Sequence, residues 1–474
     1  MAAIIHDFVR YNERVQPDFS ARLHEGLTAA QQQLIEQVAQ ESVARGLPLY
    51  AVGGLPRDLW LGSKPTDLDL VVEGDAIALA LALASRHGGK VTAHPKFGTA
   101  KWDLRGTGFE AGVDGLDSNI PVHAGHFLDL VSARSESYRH PAALPIVKRG
   151  TIQDDIRRRD FTINTLALRL DGSHFGELSD DFGALDDLKN RSIRVLHPRS
   201  FIDDPTRMYR AARYEQRFGF RIAEATLALV PAARSLVADL SGQRIRRELD
   251  LSLDEFEAAS ILSRLAKMTL LAPVHPALPQ AQAALARVRL AGKAPAPPIR
   301  TWSRRDAAWL LWLMDLREAE IRSVAKRLHF TRPALRDMAA AARLYAALGS
   351  MANWRPSRLT THLDPYPELA VYAVSLAAAG TAQRTLSEYL GTWRHIRPVT
   401  TGHDLKALGV PPGPAYGRIL GRLRAARIDG VVKDPTEEHR LLHALLGASR
   451  HPGAAAPKRR SRRKVVIKPQ SRQH

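Results

Sequence analysis

The stretch Gly53-Gly-Leu-Pro-Arg-Asp58, followed by Pro65-Thr-Asp-Leu-Asp-Leu-Val-Val72, decides how the first part of this chain folds. The apolar run Leu49–Val52 precedes it and predicts a buried strand, and the two glycines then allow the chain to turn. If a second strand follows, Asp67 and Asp69 leave it on one face, because strand side chains alternate with a period of two. The pattern predicts a small sheet that carries two acids on one face.

Two carboxylates on one strand face repel each other, and a divalent cation between them relieves the repulsion while it leaves coordination positions for phosphate oxygens. Asp-x-Asp pairs are also common on solvated strand faces, so the pair alone leaves both interpretations open. Gly53 and Gly54 let the backbone approach a ligand, and Arg57 supplies a cation where a triphosphate needs one. Glycines, arginine and both acids fall within 17 residues (53 to 69). Together they predict a metal-assisted phosphoryl or nucleotidyl transfer site.

Length and charge indicate the class of partner. A chain of 474 residues exceeds the usual size of one hydrophobic core, so we expect several domains. The 68 lysines and arginines outnumber the 49 acids, which leaves a net charge of +19 and favours a nucleic-acid partner. A basic protein that is merely soluble is the alternative. Part of the excess lies in Lys458–Lys464, which reads as a disordered basic arm.

The chain contains no cysteine, which excludes disulfides, thiolate metal sites and cysteine nucleophiles. No stretch reaches the roughly 20 apolar residues that a membrane span requires. We therefore expect a soluble, cytoplasmic protein without a membrane partner.

The pattern of apolar residues changes near residue 195. Before it, short apolar runs alternate with a helix over Ala76–Arg86, and the runs Thr99–Leu104 and Phe127–Val131 read as further strands. The Gly- and Asp-rich stretch Gly106–Gly125 reads as a loop. After residue 195 the pattern is almost wholly helical. The fold class predicted is an α/β head, a small mixed sheet with helices, followed by an all-helical region.

Three further segments carry candidate site residues. Asp129, in a strand, could add to the metal face or act as a base toward a hydroxyl, or it could simply pair with a nearby arginine such as Arg134. The segment Asp154–Ala167 reads as one helix. Its Arg159, with the i,i+4 pair Asp160 and Asn164, could hold ribose hydroxyls and phosphate, although a solvated helix start would look similar. The core candidates of that segment are Ile156, Phe161, Ile163, Leu166 and Leu168.

Asp204 and Pro205 predict the start of another helix. From there Arg207, Arg210 and Arg213 recur every three residues on one side, where they repel unless an anion or an acid lies opposite. The helix is therefore either part of an anion-binding site or a structural helix held by ion pairs.

Four of these motifs, in this order and spacing, resemble the class II tRNA nucleotidyltransferase and bacterial poly(A) polymerase family. They are Gly53-Gly-x-x-Arg-Asp58, Asp67-x-Asp69, Arg158-Arg-Asp-Phe-Thr-Ile-Asn164 and Asp203-Asp-x-x-Arg207. Ser241–Leu249 resembles the family's next motif, and 402–417 a stretch of its tail. The resemblance implies a head (1–195), neck (196–268), body (269–355) and tRNA-binding tail (356–452), with the basic arm at 453–474.

The family's roles carry over as expectations. Asp67 and Asp69 would hold magnesium, which activates the 3′-hydroxyl of tRNA. Gly53, Gly54, Arg57 and Arg159 would line the nucleotide site, with Asp160 and Asn164 beside them. Asp204 and Arg207 are implied to read the base of CTP or ATP, because a carboxylate only accepts and a guanidinium only donates hydrogen bonds. Arg210 and Arg213 would contact the nucleotide or hold Asp204.

Two positions depart from the family pattern, since Pro56 stands where valine is common and Asp203 where glutamate is usual. Members of the family add CCA, only CC, only A, or poly(A). The stretch Tyr138–Gln153 matches in place the flexible loop associated with switching from C to A, and it has full length here. We therefore expect addition of CCA or A, from CTP and ATP, to the tRNA 3′ end, with no protein partner implied. An RNA-binding protein that has lost the reaction is the alternative from another class.

Overall fold

A computed structural model describes residues 19–65, 68–112, 126–143, 145–293, 302–351 and 353–450. These residues form two compact units. The first unit comprises the chain up to Ala346 together with Tyr372–Ala378, and the second comprises Ala347–Val371 and the residues from Ala379 onward. Asp67, part of the loop expected over Gly106–Gly125, and the arm at Lys458–Lys464 lie outside the described residues. The four boundaries proposed between head, neck, body and tail stay a prediction.

All strands of the described residues belong to the first unit. In chain order they are β1 Leu49–Val52, β2 Asp69–Val72, β3 Lys90–His94, β4 Thr99–Asp103, β5 Phe127–Ser132, β6 Arg134–Ser137, β7 Ile146–Arg149, β8 Ala167–Arg169, β9 Leu178–Ser179, β10 Ser192–Ile193 and β11 Arg221–Ile222. Seven strands form one mixed sheet in the order β3-β4-β5-β2-β1-β8-β9. β2 runs parallel to β5 and antiparallel to β1.

Helices occupy most of the remaining described chain. Up to residue 293 they are α1 Ser20–Gly26, α2 Ala29–Ala44, α3 Gly54–Trp60, α4 Ala76–His87, α5 Ile152–Arg157, α6 Ala184–Lys189, α7 Ser200–Asp203, α8 Thr206–Phe218, α9 Glu224–Leu227, α10 Val230–Ala233, α11 Gly242–Asp254, α12 Ala258–Lys267, α13 Gln282–Arg287 and α14 Arg289–Lys293. The later ones are α15 Arg304–Leu313, α16 Glu318–Arg327, α17 Arg332–Ala347, α18 Pro356–Leu363, α19 Glu368–Ala377, α20 Gly380–Gly391, α21 Gly402–Ala407, α22 Pro414–Ile428 and α23 Pro435–Arg450. The predicted mixed-sheet head followed by a helical region is confirmed, although the two-residue strand β11 lies within the part that was predicted to be all-helical.

The two faces of the sheet have different coverings. Leu70 of β2 and Leu130 of β5 are fully buried on the face that α4 covers. On the opposite face, Val71 belongs to an apolar cluster that includes Ile152 and Ile156 of α5. Helix α5 covers only part of that face. Strand alternation therefore places Asp69, two residues before Val71, on the partly open face.

The segment 154–167 is not one helix, and that prediction is wrong. Helix α5 ends at Arg157, the chain extends at Phe161, and a single 3₁₀ turn over Thr162–Asn164 leads into β8. Phe161 forms a β-bridge with Val195 instead. Clustered β-branched residues, which lose side-chain freedom in a helix, are consistent with this break. The five predicted core residues are nevertheless all buried.

The stretch Tyr138–Gln153 is likewise not a simple loop. β6 and β7 pair antiparallel, with Ser137 opposite Ile146, so the stretch between them is the tip of a β-hairpin. The chain then enters α5 at Ile152. Within the described ranges, no helix has the length and apolar character needed to cross a bilayer.

Candidate active site

A cavity of about 580 Å³ lies in the first unit, above the partly open face of the sheet. Its described lining includes seven arginines and four carboxylates, an excess of positive charge that suits a triphosphate. Of the sequence-predicted site residues, the structure brings ten to this lining: Gly53, Gly54, Arg57, Asp69, Arg159, Asp160, Asn164, Asp204, Arg207 and Arg210.

Gly53 forms the turn between β1 and α3, and its position requires a glycine. Its φ is +82°, and a Cβ there would lie 2.5 Å from Nη1 of Arg159. The Arg159 guanidinium therefore lies directly against the turn. It also donates to Asp155, at 3.0 Å, and its buried Nε has no hydrogen-bond partner among the described residues. Gly54, in contrast, has room for a Cβ.

Asp155 is a fully buried acid that holds two arginines of the cavity. It accepts from Arg158 at 2.6 Å as well as from Arg159. Burial raises the pKa of the Asp155 carboxyl, but the guanidiniums of Arg159 and Arg158 outweigh that effect, so its pKa lies below the ordinary value. The carboxylate stays ionised and fixes both side chains.

Asp69 and Asp129 are register partners on the parallel strands β2 and β5, so their side chains leave the same face next to each other. Asp69 lines the cavity, and Asp129 lies one strand farther out. Asp129 pairs with Lys101 of β4 at 3.3 Å. The alternative partner expected from the sequence was wrong, because Arg134 pairs with Glu136.

A chain of polar contacts runs behind the cavity from α3 to α8. Arg57 donates to Asp58 at 2.8 Å and to Asn164 at 2.6 Å, and its guanidinium lies 4.6 Å from the Phe218 ring. Asn164 donates to Asp160 at 3.0 Å. The predicted meeting of Asp160 and Asn164 therefore occurs, although a turn rather than a helix produces it.

The chain of contacts ends at an ion pair between Asp160 and Arg210, at 2.8 Å. Burial raises the pKa of Asp160, but Arg210 outweighs it, and the pKa lies below the ordinary value. Burial also lowers the pKa of Arg210, and the opposing effect of Asp160 leaves that pKa above its ordinary value. Both groups stay charged. The acid that pairs with Arg210 is therefore Asp160 and not Asp204, which the sequence had suggested.

Asp204 and Arg207, at the start of α8, line the part of the cavity that we call the Asp204 end. Arg207 is 4% exposed and donates to the Ser200 hydroxyl and to the Arg158 carbonyl, both at 2.7 Å. Those bonds use two of its five N–H donors. Asp204 accepts from Thr206 through Oδ1, and no described residue donates to its Oδ2. One carboxylate oxygen and several guanidinium protons are thus left for a ligand.

Arg244 of α11 is a site residue that the sequence reasoning did not single out. Its Nη2 donates to Asp204 Oδ1 at 2.7 Å, and its Nη1 donates to the carbonyl of Ala142 at 2.9 Å. Ala142 lies at the tip of the β6–β7 hairpin. One guanidinium therefore joins the hairpin tip to Asp204. The sequence motif Ser241–Leu249 pointed to this helix but not to Arg244. Its partners lie 40 and 102 residues away in the sequence, so no local pattern predicts these contacts.

The base of the same hairpin carries a second link that the sequence did not predict. Glu136 accepts from Arg134 and from Arg158, each at 3.1 Å, and from the Tyr138 hydroxyl at 3.2 Å. Burial and the neighbouring Glu136 raise the pKa of Tyr138 to about 12. Because the Arg158 carbonyl also receives Arg207, Glu136 connects the hairpin to the arginine of the Asp204 end.

Arg213 is not among the described residues that line the cavity, so the structure does not bring it to the other predicted site residues. Each residue of a helix advances about 100°, so each of the two three-residue steps from Arg207 to Arg213 falls about 60° short of a full turn. Arg213 therefore faces α11, where it lies 3.7 Å from Glu248. Burial raises the pKa of Glu248, an effect that Arg213 only partly offsets.

Comparison with known proteins shows the family of this chain. The family model described as "Poly A polymerase head domain" matches residues 49–194, and "Probable RNA and SrmB- binding site of polymerase A" matches residues 219–281. An A-adding tRNA nucleotidyltransferase of Halalkalibacterium halodurans is 32% identical over 412 residues, which cover 86% of this chain and 91% of that protein. The chain belongs to the tRNA nucleotidyltransferase family.

Two other members of the family show the range of similarity. A CC-adding tRNA nucleotidyltransferase of Deinococcus radiodurans is 35% identical, over 85% of this chain and 90% of that protein. An A-adding tRNA nucleotidyltransferase of Geobacter sulfurreducens is also 35% identical, over 83% of this chain, but the chain spans only 45% of its length.

Solved structures of the family share the fold. An apo CCA-adding enzyme superposes with a TM-score of 0.74 at 28% identity, covering 92% of this chain and 100% of that one. The Thermotoga maritima CCA-adding enzyme complexed with tRNA gives a TM-score of 0.70 at 26% identity, with the same coverage. The predicted family is confirmed, and with it the predicted class of a nucleotidyl transferase that acts in tRNA processing.

Proposed function

We propose that this protein adds C and A nucleotides, from CTP and ATP, to the 3′ end of tRNA without a nucleic-acid template, and so builds CCA. The observation that carries the proposal is one cavity that is lined both by Asp69, from the sheet, and by Asp204 with Arg207, from the start of α8. We call the part lined by Asp69 the first end, and the Asp204 end, which Arg207 also lines, the second end. The rest of the lining is rich in arginine, which suits the phosphates of a nucleotide. A ligand that has both a triphosphate and a base suits a cavity that carries both sets of groups.

The donors and acceptors at the second end suit cytosine and adenine. Each of these bases carries an exocyclic amino group beside a ring nitrogen that accepts. Asp204 Oδ2 would accept from the amino group, and an N–H of Arg207 would donate to the ring nitrogen. Guanine and uracil present a carbonyl in place of the amino group, which leaves the carboxylate without a donor. The pair therefore favours C and A together.

The reaction forms a bond between the 3′-oxygen of RNA and the α-phosphorus of the nucleotide. It breaks the bond between that phosphorus and the oxygen that bridges it to the β-phosphorus, and the β- and γ-phosphates leave as pyrophosphate. Asp69 and Asp129 are neighbouring carboxylates on one face, the donor type that a hard cation such as Mg²⁺ prefers. Asp69, together with Asp67, would hold the ion, which supplies a Lewis acid for the departing charge. Asp129 would accept the hydroxyl proton, and Arg159 would hold the phosphates.

Addition of A alone is the second candidate. It is favoured by A-adding relatives, one of which this chain matches over 91% of its length. The β6–β7 hairpin occupies the position of the loop that is associated with A addition, and it is compatible with both candidates. A CC-adding enzyme is supported by the Deinococcus relative, and poly(A) synthesis remains a weaker alternative.

One experiment separates these activities. The purified protein is incubated with Mg²⁺ and with tRNA that ends at the discriminator base, at C or at CC, and receives CTP, ATP or both. Products are read at single-nucleotide resolution, with Asp69→Asn as the inactive control. Growth from the bare end to CCA supports the proposal. Extension only from CC identifies A addition, long A tracts identify a poly(A) polymerase, and no extension of any RNA would refute the enzymatic function.

A further inference from the structure

The row of charged side chains that begins with Asp69 and Asp129 continues onto a third strand and ends in a lysine. Asp129 is the register partner of Lys101 on β4, so the three side chains leave one face side by side. Adjacent strands lie about 4.8 Å apart, so the row spans roughly 10 Å. Lys101 Nζ lies 3.3 Å from Asp129 Oδ2, and the two side chains are 43% and 44% exposed.

The row marks one edge of the cavity. The next row on the same face, formed by Val71, Val131 and Thr99, lines the cavity throughout. In the charged row only Asp69 lines it, whereas Asp129 and Lys101 lie beyond the lining. Asp69 therefore stands where the cavity meets the exposed part of the sheet.

The chemistry fixes the side from which RNA arrives. In phosphoryl transfer the attacking and leaving oxygens lie roughly in line on opposite sides of the phosphorus. With the triphosphate among the arginines of the cavity, the 3′-hydroxyl has to approach Asp69 from the open side. That approach runs along the exposed row, and the terminal nucleoside brings its own phosphate with it. Lys101 is the cation of this row, two strand spacings from Asp69.

We propose that Lys101 binds the phosphate of the last nucleotide of the RNA acceptor and thereby positions its 3′-hydroxyl beside Asp69. The inference rests on the nucleotidyl transfer proposed above and assigns a residue on the acceptor side of that site. A lysine ammonium has three N–H donors, so it can keep its ion pair with Asp129 while it donates to a phosphate oxygen. The ion pair also holds the ammonium in the row before RNA binds.

The first test is a steady-state comparison of Lys101→Met with the wild type. We expect the KM for tRNA to rise roughly tenfold, because one charge-assisted contact is lost, while the KM for ATP stays unchanged. The salt dependence of tRNA binding should weaken, with a slope smaller by about 0.7 for one single-strand phosphate. Lys101→Arg should restore part of the affinity. Lys90→Met, an exposed lysine of β3 in the same sheet, is the matched control and should leave both KM values unchanged.

The decisive test combines the variant with an altered acceptor. A tRNA that carries an uncharged methylphosphonate at its last internucleotide linkage removes the phosphate charge that Lys101 is proposed to bind. For the wild type we expect the KM for this RNA to rise about as much as Lys101→Met raises it for normal tRNA, and we expect the variant to show little further loss. If the two losses multiply, the inference is overturned. If the wild type extends no RNA, the proposed function itself fails, so the two failures are distinguishable.

Discussion

The two ends of the cavity are constructed in different ways. At one end, Asp69 and, just beyond the lining, Asp129 are placed by the register of two parallel strands, and the Asp129 side chain is 44% exposed. At the other end, Asp204 and Arg207 are held by hydrogen bonds that come from α7, α11 and the segment after α5. Backbone geometry fixes the first end, and contacts between side chains and distant segments fix the second.

This difference corresponds to what each end has to do. The transferred phosphate is the same in every nucleoside triphosphate, so the acids near it need only a common position. Selecting a base requires one acceptor and one donor at a fixed spacing, which is possible only when neighbouring groups lock both side chains. We therefore expect changes at the first end to alter the rate for all nucleotides alike, and changes at the second end to alter which nucleotide is used.

The largest effect should come from Asp69→Asn. The side chain keeps its size but loses the charge that would hold the metal ion, which contributes several kcal/mol to the transition state. Incorporation of every nucleotide should therefore fall about a thousandfold or more. Single-turnover assays with ATP and CTP measure this, and tRNA binding in a filter assay should stay unchanged. Incorporation within tenfold of the wild-type rate would contradict a role of Asp69 in the chemistry.

The next effect concerns Asp155, which holds two arginines of the cavity. Asp155→Asn leaves Arg158 and Arg159 without their buried acid, and breaking such a buried pair costs about 3 kcal/mol of unfolding free energy at pH 7. The folded-state pKa of Asp155 is lowered, so its ionised form stabilises the fold above the ordinary value of 3.8. That contribution is lost as the pH falls through the lower folded-state pKa.

Urea unfolding of Asp155→Asn and of the wild type, followed at pH 7 and at successively lower pH, measures this contribution. The difference between the two proteins should be largest at pH 7 and shrink below about pH 3.8. A difference of unchanged size at acidic pH would show that ionisation of Asp155 does not hold the arginines.

A smaller effect is expected at Arg244, which joins the hairpin tip to Asp204. Arg244→Gln removes two hydrogen bonds, one of them to a carboxylate, so kcat/KM for nucleotide should fall about tenfold. The preference for ATP over GTP should fall as well, because Asp204 loses a contact that orients it. Arg247→Gln, an exposed position of the same helix, is the control and should change neither quantity. A lower rate with unchanged preference would mean that Arg244 does not orient Asp204.

The smallest effect should come from Asp203→Ala, immediately beside Asp204. Among the described residues, the one ion pair of the Asp203 side chain is with Arg199 at 3.5 Å, and the Arg199 side chain is 70% exposed. Such pairs contribute less than about 1 kcal/mol. The free energy of unfolding should change by less than about 1 kcal/mol. In the assays used for Arg244→Gln, kcat/KM should stay within about threefold of the wild-type value. A loss as large as that of Arg244→Gln would assign Asp203 a role in the site.

The sequence predicted the first end of the cavity better than the second. Residues Leu49–Val52 and Asp69–Val72 form strands close to the predicted bounds, because alternation and short apolar runs are local signals. The turn at Gly53 follows from the same local pattern. Asp129 lies beside Asp69 as one of the expectations required, although its ion-pair partner is Lys101 rather than Arg134.

The second end depends on contacts that no local pattern contains. The arginine repeat on α8 suggested a common face, yet Arg207, Arg210 and Arg213 each contact a different acid or polar group. Neither Arg244 nor Glu136 was singled out from the sequence. Tertiary contacts also decided the segment 154–167, where the bridge between Phe161 and Val195 replaces a helix.

The division of labour between the two ends is tested most directly by the ratio of kcat/KM for ATP to that for GTP on tRNA ending in CC. The ratio is measured for the wild type, Asp69→Glu, Asp204→Ala and the double variant. Asp69→Glu should lower both rates and leave the ratio unchanged. Asp204→Ala should lower the ratio roughly 10- to 100-fold, the value of one lost base contact, and the double variant should combine the two changes. A wild-type ratio in Asp204→Ala, or a changed ratio in Asp69→Glu, would contradict the account.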